Sequence, residues 1–376
     1  MNLQSRLSDP GPKRILSLDG GGIRGLITLG FLSRIEQLLR ERFANPAMRL
    51  RDYFDLIGGT STGAVIAAGL AIGLEVAEVR DIYLRLGPSA FGTKRWWWNW
   101  WQSKYDYLPL QKELSHVFED RHLDDESITT GLCIVIKRAD SGSTWPLINH
   151  PGGKYYVANR SILIRQALRA STAAPIYFMP ETVDVGEEEK GLFIDGGVSL
   201  ANNPALLLFL LATLKGFPFR WSCGADRLLL VSVGTGGWKD KVPLGRAIEI
   251  FTAFRSRLDF IARIVTMLQD DGSRQAQLLL QYLSNTATPW VMDSEAGDLG
   301  GDLLNGRPAL TYLRYDAVLD YQGLTGLGLL ELIGRVDPLR EMSATENTNS
   351  LTIIGERAAK AQVRAEHFPP AFDCLA

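Results

Sequence analysis

A serine between two glycines is the first feature of the sequence that could do chemistry. Gly59 and Gly63 flank Ser61 in the pattern Gly-x-Ser-x-Gly, with a strand predicted before it at residues 53–57 and a helix after it at residues 64–74. A sharp strand-to-helix turn exposes the serine, leaves no room for side chains at the glycine positions, and places a helix N-terminus beside a developing anion. The pattern predicts that Ser61 is a nucleophile, and a tight turn without chemistry is the alternative.

Three consecutive glycines, Gly20, Gly21 and Gly22, begin a second motif that continues to Arg24 and Gly25. One interpretation is the G-x-G-x-x-G loop of a nucleotide-binding module, which also needs an acidic residue about 20 positions later, at the end of a second strand. The nearest acidic residues fall inside the predicted helix instead. The other interpretation is a nest of backbone N–H groups that stabilises the oxyanion of an acyl-transfer intermediate. Beside the serine turn, the second interpretation is favoured.

A nucleophilic serine needs a base, and Asp195 is the candidate. It follows a short apolar run and precedes Gly196 and Gly197, so we expect it at the same edge of the sheet as the serine. An ordinary aspartate is a weak base, so burial would have to raise the pKa of this carboxyl. The alternative is a triad that uses a histidine, His150 or His367.

The predicted strands and helices alternate along the first two thirds of the chain. Strands are predicted at residues 14–19, 53–57, 131–136, 191–194 and 228–233, and helices at residues 26–43 and 64–74. This order predicts an α/β fold with a mostly parallel sheet covered on both faces, and the carboxyl ends of its strands are where a site is expected.

The region after residue 239 has a different pattern. Helices are predicted at residues 246–268 and 273–284, and a loop at residues 295–308. No linker separates two cores, so we expect a single domain over residues 1–376. Its α/β core would cover residues 14–236, with a mainly helical part, residues 237–376, packed on it.

Composition excludes several classes of function. The chain has 40 basic and 42 acidic residues and a net charge of −2, so it has no broad basic field for nucleic acid. Its three cysteines and four histidines are scattered, which argues against a disulfide framework or a metal site. The N-terminus lacks the apolar run of a signal peptide, and residues 205–214, the longest apolar run, reach about half of the ~20 residues that span a bilayer. We therefore expect a cytoplasmic protein.

Together these motifs resemble the patatin-like phospholipase family. The resemblance lies in the order of three motifs, with fainter support from other blocks: residues 19–25, 59–63 and 195–197, then residues 53–55, 171–178, 203–205, 234–236, 312–314 and 342–356. It spans nearly the whole chain and is strongest over residues 14–236.

The resemblance implies a three-layer α/β/α fold and a hydrolase with a Ser-Asp dyad that uses no metal and no cofactor. Ser61 would be the nucleophile and Asp195 its base, and the backbone N–H groups of residues 20–22 would form the oxyanion hole. Arg24 would either fix the loop or bind a phosphate. The substrate would be a membrane phospholipid or galactolipid, cleaved through an acyl-enzyme by a peripheral membrane protein. Bacterial members are switched on by a cyclic nucleotide or a protein partner, which these residues neither support nor exclude.

A tryptophan-rich segment has no counterpart in that family. It holds five of the nine tryptophans: Trp96, Trp97, Trp98, Trp100 and Trp101. Consecutive side chains point in different directions on a helix or a strand, so the five indoles cannot all enter one core. Tryptophan beside lysine and arginine is typical of membrane-interface anchors, so we expect this segment to dock on a membrane surface. A homodimer contact and a cap over the active-site cleft are the alternatives.

Overall fold

The computed structural model describes residues 3–92, 103–186, 189–238, 244–245, 248 and 257–373. Within these ranges the backbone forms one nine-stranded sheet. Its strands are β1 (Lys13–Leu18), β2 (Leu56–Thr60), β3 (Gly131–Arg138), β4 (Thr144–Ile148), β5 (Glu181–Asp184), β6 (Lys190–Asp195), β7 (Leu228–Val233), β8 (Ser284–Asn285) and β9 (Leu310–Tyr315).

Helices connect the strands and cover the sheet. They are α1 (Leu3–Ser8), α2 (Gly25–Arg42), α3 (Leu50–Tyr53), α4 (Thr62–Ala71), α5 (Val76–Phe91), α6 (Leu108–Phe118), α7 (Tyr156–Asn159), α8 (Ile164–Ser171), α9 (Ala205–Thr213), α10 (Arg257–Tyr282), α11 (Tyr321–Gly326), α12 (Val336–Arg340) and α13 (Thr348–Gln362). Among the described residues, none of these helices combines the length and the apolar character needed to cross a bilayer.

Most neighbouring strands are parallel. The strands β3, β2, β1, β7, β9 and β8 follow one another in space, and each pair in this row is parallel. The strands β4 and β6 both pair with β3 in the antiparallel sense, and β5 pairs with β6 in the same sense. The predicted α/β fold with a mostly parallel sheet is therefore confirmed.

Alternate residues of the central strands face two separate cores. In β3, Leu132 and Ile134 belong to one core and Cys133 and Val135 to the other. The first core is completed by α2, α4, α5, α6, α8 and α13, and the second by α1, α9 and the end of α10. Because side chains alternate between the faces of a strand, two covered faces give three layers.

The C-terminal region contributes strands to the sheet, which differs from the prediction of an α/β core limited to residues 14–236. Every residue of β9 is buried, and the strand pairs along its length with β7. Its sequence includes Arg314, a charge that argues against a buried strand until its partners are known. Its partners are Asp316, two residues further on, and Asp19, which comes near it only in the folded chain.

Two helical predictions also change. Residues 50–53 form a helical turn, so β2 begins at Leu56 rather than at residue 53. The helix α10 runs without interruption through Gly272, where two helices were predicted. A Cβ at Gly272 would lie 3.1 Å from the Cα of Leu200, so this glycine lets the helix approach the chain closely.

The two ends of the described chain are joined through α2 and α13. These helices cross where Gly30 faces Gly355, at a separation that a Cβ on Gly30 would not permit. Arg42 of α2 also forms an ion pair with Asp373, at 2.7 Å. On these contacts we propose that the chain is a single domain.

Candidate active site

Ser61 lies in the turn between β2 and α4 with a strained backbone. Its φ of 55° and ψ of −127° fall in a region that non-glycine residues seldom adopt. A Cβ on Gly63 would lie 2.5 Å from the carbonyl oxygens of Leu18 and Asp19, and one on Gly59 would collide with Gly63 itself. The two glycines of the motif are therefore required by packing, as the sequence predicted. The backbone of Leu18 and Asp19 packs against the turn that contains the strained Ser61.

The strands β2 and β6 meet end to end along β3. Residues 131–135 of β3 pair with β2, and residues 136–138 pair with β6. The strand β4 pairs with residues 133–137 of β3, which overlap both of these stretches, so β4 must lie on the opposite edge of β3. The strand β6 thus takes the same edge of β3 beyond the end of β2. Since β6 runs antiparallel, its last residue, Asp195, arrives beside the turn that holds Ser61.

The two predicted residues are in direct contact. Ser61 Oγ donates to Asp195 Oδ2 at 2.6 Å. We expected both residues at one edge because parallel strands end there, but the physical reason is different. The strand β6 is antiparallel and reaches that edge from the other direction.

The carboxyl group of Asp195 is buried and held from both sides. Its side chain is 5% exposed, and Oδ1 accepts a hydrogen bond from the N–H of Gly197 at 2.7 Å. Burial raises the pKa of this carboxyl from 3.8 to about 6, against the hydrogen bonds from Ser61 and Gly197, which lower it. The group is charged at neutral pH and is a stronger base than an exposed aspartate.

Ser171 holds the backbone of the serine turn. Its hydroxyl accepts from the N–H of Ser61 at 2.9 Å and donates to the carbonyl of Val135 at 2.7 Å. This contact ties the turn to β3 at the point where β2 ends. Sequence reasoning assigned no role to Ser171, although it begins one of the blocks that carried the family resemblance.

The glycine loop after β1 lies beside Ser61. A Cβ on Gly20 would be 3.2 Å from the Cβ of Ser61. The N–H of Gly20 donates to the carbonyl of Asn202 at 3.0 Å, and that of Gly21 donates to Thr62 Oγ1 at 3.3 Å. The N–H of Gly22 has no hydrogen-bond partner among the described residues. Of the three predicted oxyanion donors, Gly20 and Gly21 therefore already have partners, and the bond of Gly21 is the longer of the two.

Protein atoms pack closely against this loop on its other side. A Cβ on Gly21 would collide with Thr235, and one on Gly22, whose φ is 60°, would collide with the carbonyl of Met342. These glycines allow the chain to approach the loop. A dinucleotide-binding loop instead uses its glycines to let the ligand approach.

Arg24 is buried within the same region and bonds the loop. Its guanidinium donates to the carbonyl oxygens of Gly21, at 3.4 Å, and Gly236, at 3.1 Å, and stacks on Trp238 with 4.8 Å to the ring centroid. These contacts fit the loop-fixing role that was expected as one of two alternatives.

A buried charge cluster of Arg314, Asp19 and Asp316 lies next to the glycine loop. Arg314 donates to Asp19 and Asp316, at 2.7 Å in both cases. Asp316 in turn accepts from the N–H of Gly236 at 2.8 Å. Burial raises the pKa of Asp19 to about 6 and outweighs the opposing effect of Arg314. The cluster links β1, β9 and the turn after β7, and sequence reasoning did not identify it.

The cavity above Ser61 is mainly apolar. It has a volume of about 200 Å³ and contains Ser61 and Asp195 in its lining. Its apolar side chains come from α4, α5, α6, the segment after α8, and α10, and include Val65, Leu86, Phe178 and Val265. Such a lining suits an acyl chain better than a polar ligand.

No histidine contacts the site among the described residues. The ring of His150 packs on Phe219, and its Nδ1 accepts from the N–H of Gly152 at 3.0 Å. His367 Nδ1 is 3.0 Å from the hydroxyl of Tyr315. Across the described ranges, no group of three metal-binding side chains occurs. The tryptophan-rich segment, with Trp96, Trp97, Trp98, Trp100 and Trp101, lies outside the described residues.

Comparison with known proteins gives the same family as the motifs. A family model described as patatin-like phospholipase matches residues 16–209. The chain is 32% identical over 206 residues to a cGAMP-activated phospholipase of Vibrio cholerae, covering 52% of this chain and 56% of that protein. It is 28% identical over 229 residues to a cGAMP-activated phospholipase of Escherichia coli, covering 60% and 62%.

A plant protein is similar to the same degree. Patatin-like protein 4 of Arabidopsis thaliana is 30% identical over 248 residues, with coverage of 60% of each chain. The chain thus spans less than two thirds of the length of these three relatives. Since the family model matches more than half of its residues, the chain belongs to the patatin-like phospholipase family.

Proposed function

We propose that this protein hydrolyses carboxylic esters of membrane lipids, with Ser61 as nucleophile and Asp195 as its base. The observation that carries the proposal is the 2.6 Å hydrogen bond from Ser61 Oγ to Asp195 Oδ2 at an apolar cavity. A serine bonded to a buried carboxylate of raised pKa is prepared to lose its proton as it attacks.

The reaction follows from these contacts. Asp195 accepts the proton of Ser61 as Oγ attacks the ester carbonyl, and the tetrahedral intermediate carries its negative charge on the former carbonyl oxygen. We assign that oxyanion to the N–H of Gly22, which has no partner among the described residues, and to the N–H of Gly21, whose 3.3 Å bond to Thr62 Oγ1 is longer than the 3.0 Å bond that holds Gly20. Asp195 returns the proton to the leaving alcohol. It then takes a proton from the water that attacks the acyl-enzyme, and gives that proton to Ser61 Oγ as the fatty acid leaves.

The substrate class is supported by the cavity and by the relatives. An apolar lining favours a long acyl chain, and the similar bacterial proteins are named phospholipases. Phospholipids and galactolipids both present such esters at a membrane surface. We propose the tryptophan-rich segment as the docking element for that surface, with a homodimer contact as the alternative. A variant with Trp97→Ala and Trp98→Ala distinguishes the two. Loss of sedimentation with vesicles indicates membrane docking, and a lower molecular mass by light scattering indicates a homodimer contact.

The test is release of fatty acid from mixed phospholipid vesicles by three variants beside the wild type. We expect Ser61→Ala and Asp195→Asn to lose hydrolysis and Ser141→Ala, at an exposed serine of the β3–β4 turn, to retain it. A fluorophosphonate probe should label the wild type and not Ser61→Ala. Labelling or hydrolysis that survives in Ser61→Ala would contradict the proposal.

The same experiment separates the two alternatives. A nucleotide-binding module predicts that a dinucleotide raises the melting temperature and that Ser61→Ala changes nothing. A histidine triad predicts that Asp195→Asn stays active and that a variant of His150 or His367 does not. Two observations favour the dyad. Protein atoms pack against Gly21 and Gly22, and Ser61 is hydrogen-bonded to Asp195, whereas His150 and His367 contact other groups.

Regulation by a cyclic nucleotide is part of the proposal, supported by two similar proteins named as cGAMP-activated phospholipases. We expect cGAMP to raise the initial rate of the wild type on vesicles, and the corresponding linear dinucleotide to have no effect. Equal rates with both compounds would overturn this part and leave the hydrolase proposal intact.

A further inference from the structure

Helix α9 is apolar on all sides, although it lies in an outer layer. Leu208 and Leu211 are buried against the sheet. On the outer side, Leu206 and Leu207 are only partly buried and Leu210 is exposed. A helix that is apolar all round is normally covered all round, and the described residues leave part of the outer face of α9 uncovered.

A groove of about 590 Å³ borders this outer face. It is formed between α9 and α10, and Leu200 and Leu268, which are 67% and 58% exposed, also line it. The lining also includes polar side chains: Lys137, Thr144, Ser199, Asn203, Gln269 and Gln275. Large apolar side chains exposed together at one place mark a surface that binds something apolar.

The groove adjoins the cavity above Ser61. Val198, Val265 and Gln269 line both spaces. Val198 lies three residues after Asp195, and Gln269 Nε2 donates to the carbonyl of Gly197 at 2.7 Å. The groove therefore begins beside the base and not at a remote surface.

The two spaces match the shape of a diacyl lipid. Two ester groups on neighbouring glycerol carbons are only a few bonds apart, so a second acyl chain must start close to Ser61 when the first ester is being attacked. The cavity at Ser61 and the groove that adjoins it offer a separate space to each of the two acyl chains. Given the proposed function, we infer that the groove between α9 and α10 binds the second acyl chain of a diacyl glycerolipid.

This site makes the enzyme prefer diacyl over monoacyl lipids. Apolar surface removed from water favours binding in proportion to its area, and a monoacyl lipid leaves the groove empty. The preference is therefore set by the lining of the groove and is independent of the contacts at Ser61.

The test compares phosphatidylcholine with its monoacyl form at equal mole fraction in detergent micelles, so that both substrates share one interface. Leu210→Glu places a charge in the groove, and Gln275→Trp fills it while adding apolar surface. We expect both variants to lower the ratio of kcat/KM for diacyl over monoacyl lipid by about tenfold or more. Leu214→Glu, at an exposed leucine that lines neither space, should leave the ratio unchanged.

Gln275→Trp separates an acyl-chain groove from a membrane-docking surface. A docking surface would gain from the added indole, so the rates on both substrates would rise together. Parallel changes for the two substrates in either variant would overturn the inference.

A binding experiment keeps the inference separate from the hydrolase proposal. In the Ser61→Ala background, energy transfer from tryptophan to a pyrene-labelled diether phosphatidylcholine reports binding without hydrolysis. We expect Leu210→Glu to weaken binding of the diether about tenfold or more and to leave the monoether analogue unchanged. Equal weakening of both, or of neither, would refute the groove, whereas loss of wild-type hydrolysis alone would refute only the proposed function.

Discussion

Replacement of Asp195 by asparagine should stabilise the protein at neutral pH while it removes activity. Burial raises the pKa of this carboxyl from 3.8 to about 6. Because the folded protein holds the proton more tightly than the unfolded chain, the side chain stabilises the fold below about pH 4, and this contribution is lost as the pH rises through about 6. At 1.36 kcal/mol for each tenfold change in proton affinity, the charged form lowers the free energy of unfolding by about 3 kcal/mol at neutral pH.

Asparagine has nearly the same shape and no charge. Its Oδ1 can accept from the N–H of Gly197, and its Nδ2 can donate to Ser61 Oγ, so both hydrogen bonds of the carboxylate have a replacement. Above pH 7 we therefore expect Asp195→Asn to raise the free energy of unfolding by about 2–3 kcal/mol relative to the wild type. The difference should shrink below pH 6 and vanish near pH 4, where the wild-type side chain is itself neutral.

Urea denaturation and thermal unfolding between pH 4.5 and 8 measure this difference, with Asp302→Asn at an exposed loop position as the matched control. The control should show a small difference that does not change with pH. A gain for Asp195→Asn that is the same at pH 5 and pH 8, or a lower melting temperature than the wild type at pH 8, would refute the assignment of a buried, destabilising carboxylate to Asp195.

Three further predictions concern the base, the serine turn and the charge cluster. Since the pKa of Asp195 is raised to about 6, kcat/KM on a soluble ester should rise through about pH 6 and level off above pH 7, and a profile without a step near pH 6 would speak against Asp195 as the base. Gly63→Ala puts a Cβ 2.5 Å from the carbonyl of Asp19, so fluorophosphonate labelling should fall at least about a hundredfold; labelling at the wild-type rate would show that the turn can relax. Arg314→Leu leaves two buried carboxylates without a cation and should cost about 3–5 kcal/mol in urea denaturation, most of it recovered when Asp19→Asn and Asp316→Asn are added. No recovery in the triple variant would mean that packing, not charge, explains the loss.

Local requirements are the part of the site that could be predicted. Gly59 is needed because its missing side chain makes room for Gly63 within the same turn, and the strained backbone of Ser61 lies in that turn. Gly63 also makes room for the carbonyl oxygens of Leu18 and Asp19, at the end of β1. A constraint that acts over a few neighbouring residues leaves a pattern in the sequence. The same holds for the alternation of apolar runs and helices, from which the α/β class followed.

Contacts between distant segments left weaker signals. The strand β9 was missed because it contains Arg314, and an arginine looks incompatible with a buried strand. Its partner Asp316 is two residues away, but its other partner, Asp19, is about 300 residues away in the sequence. Nothing in the sequence indicated that the N–H of Gly20 donates to the carbonyl of Asn202 and that of Gly21 to Thr62 Oγ1, which leaves Gly22 as the predicted oxyanion donor without a partner among the described residues. Asp195 was predicted at the same edge of the sheet as Ser61 on the expectation of parallel strands, whereas the strand that carries it, β6, is antiparallel to β3.

The sequence by itself determined the family, the α/β class and the choice of Ser61 and Asp195 as candidates for the nucleophile and its base, because each depends on short motifs whose spacing is set by local backbone geometry. Only the tertiary structure decided how the aspartate reaches the serine, which glycine N–H groups already have hydrogen-bond partners, and that an apolar groove adjoins the cavity. Those features depend on which segments meet along β3 and between α9 and α10. Pairing of that kind is chosen by the packing of the whole sheet and its two cores, which no short stretch of residues encodes.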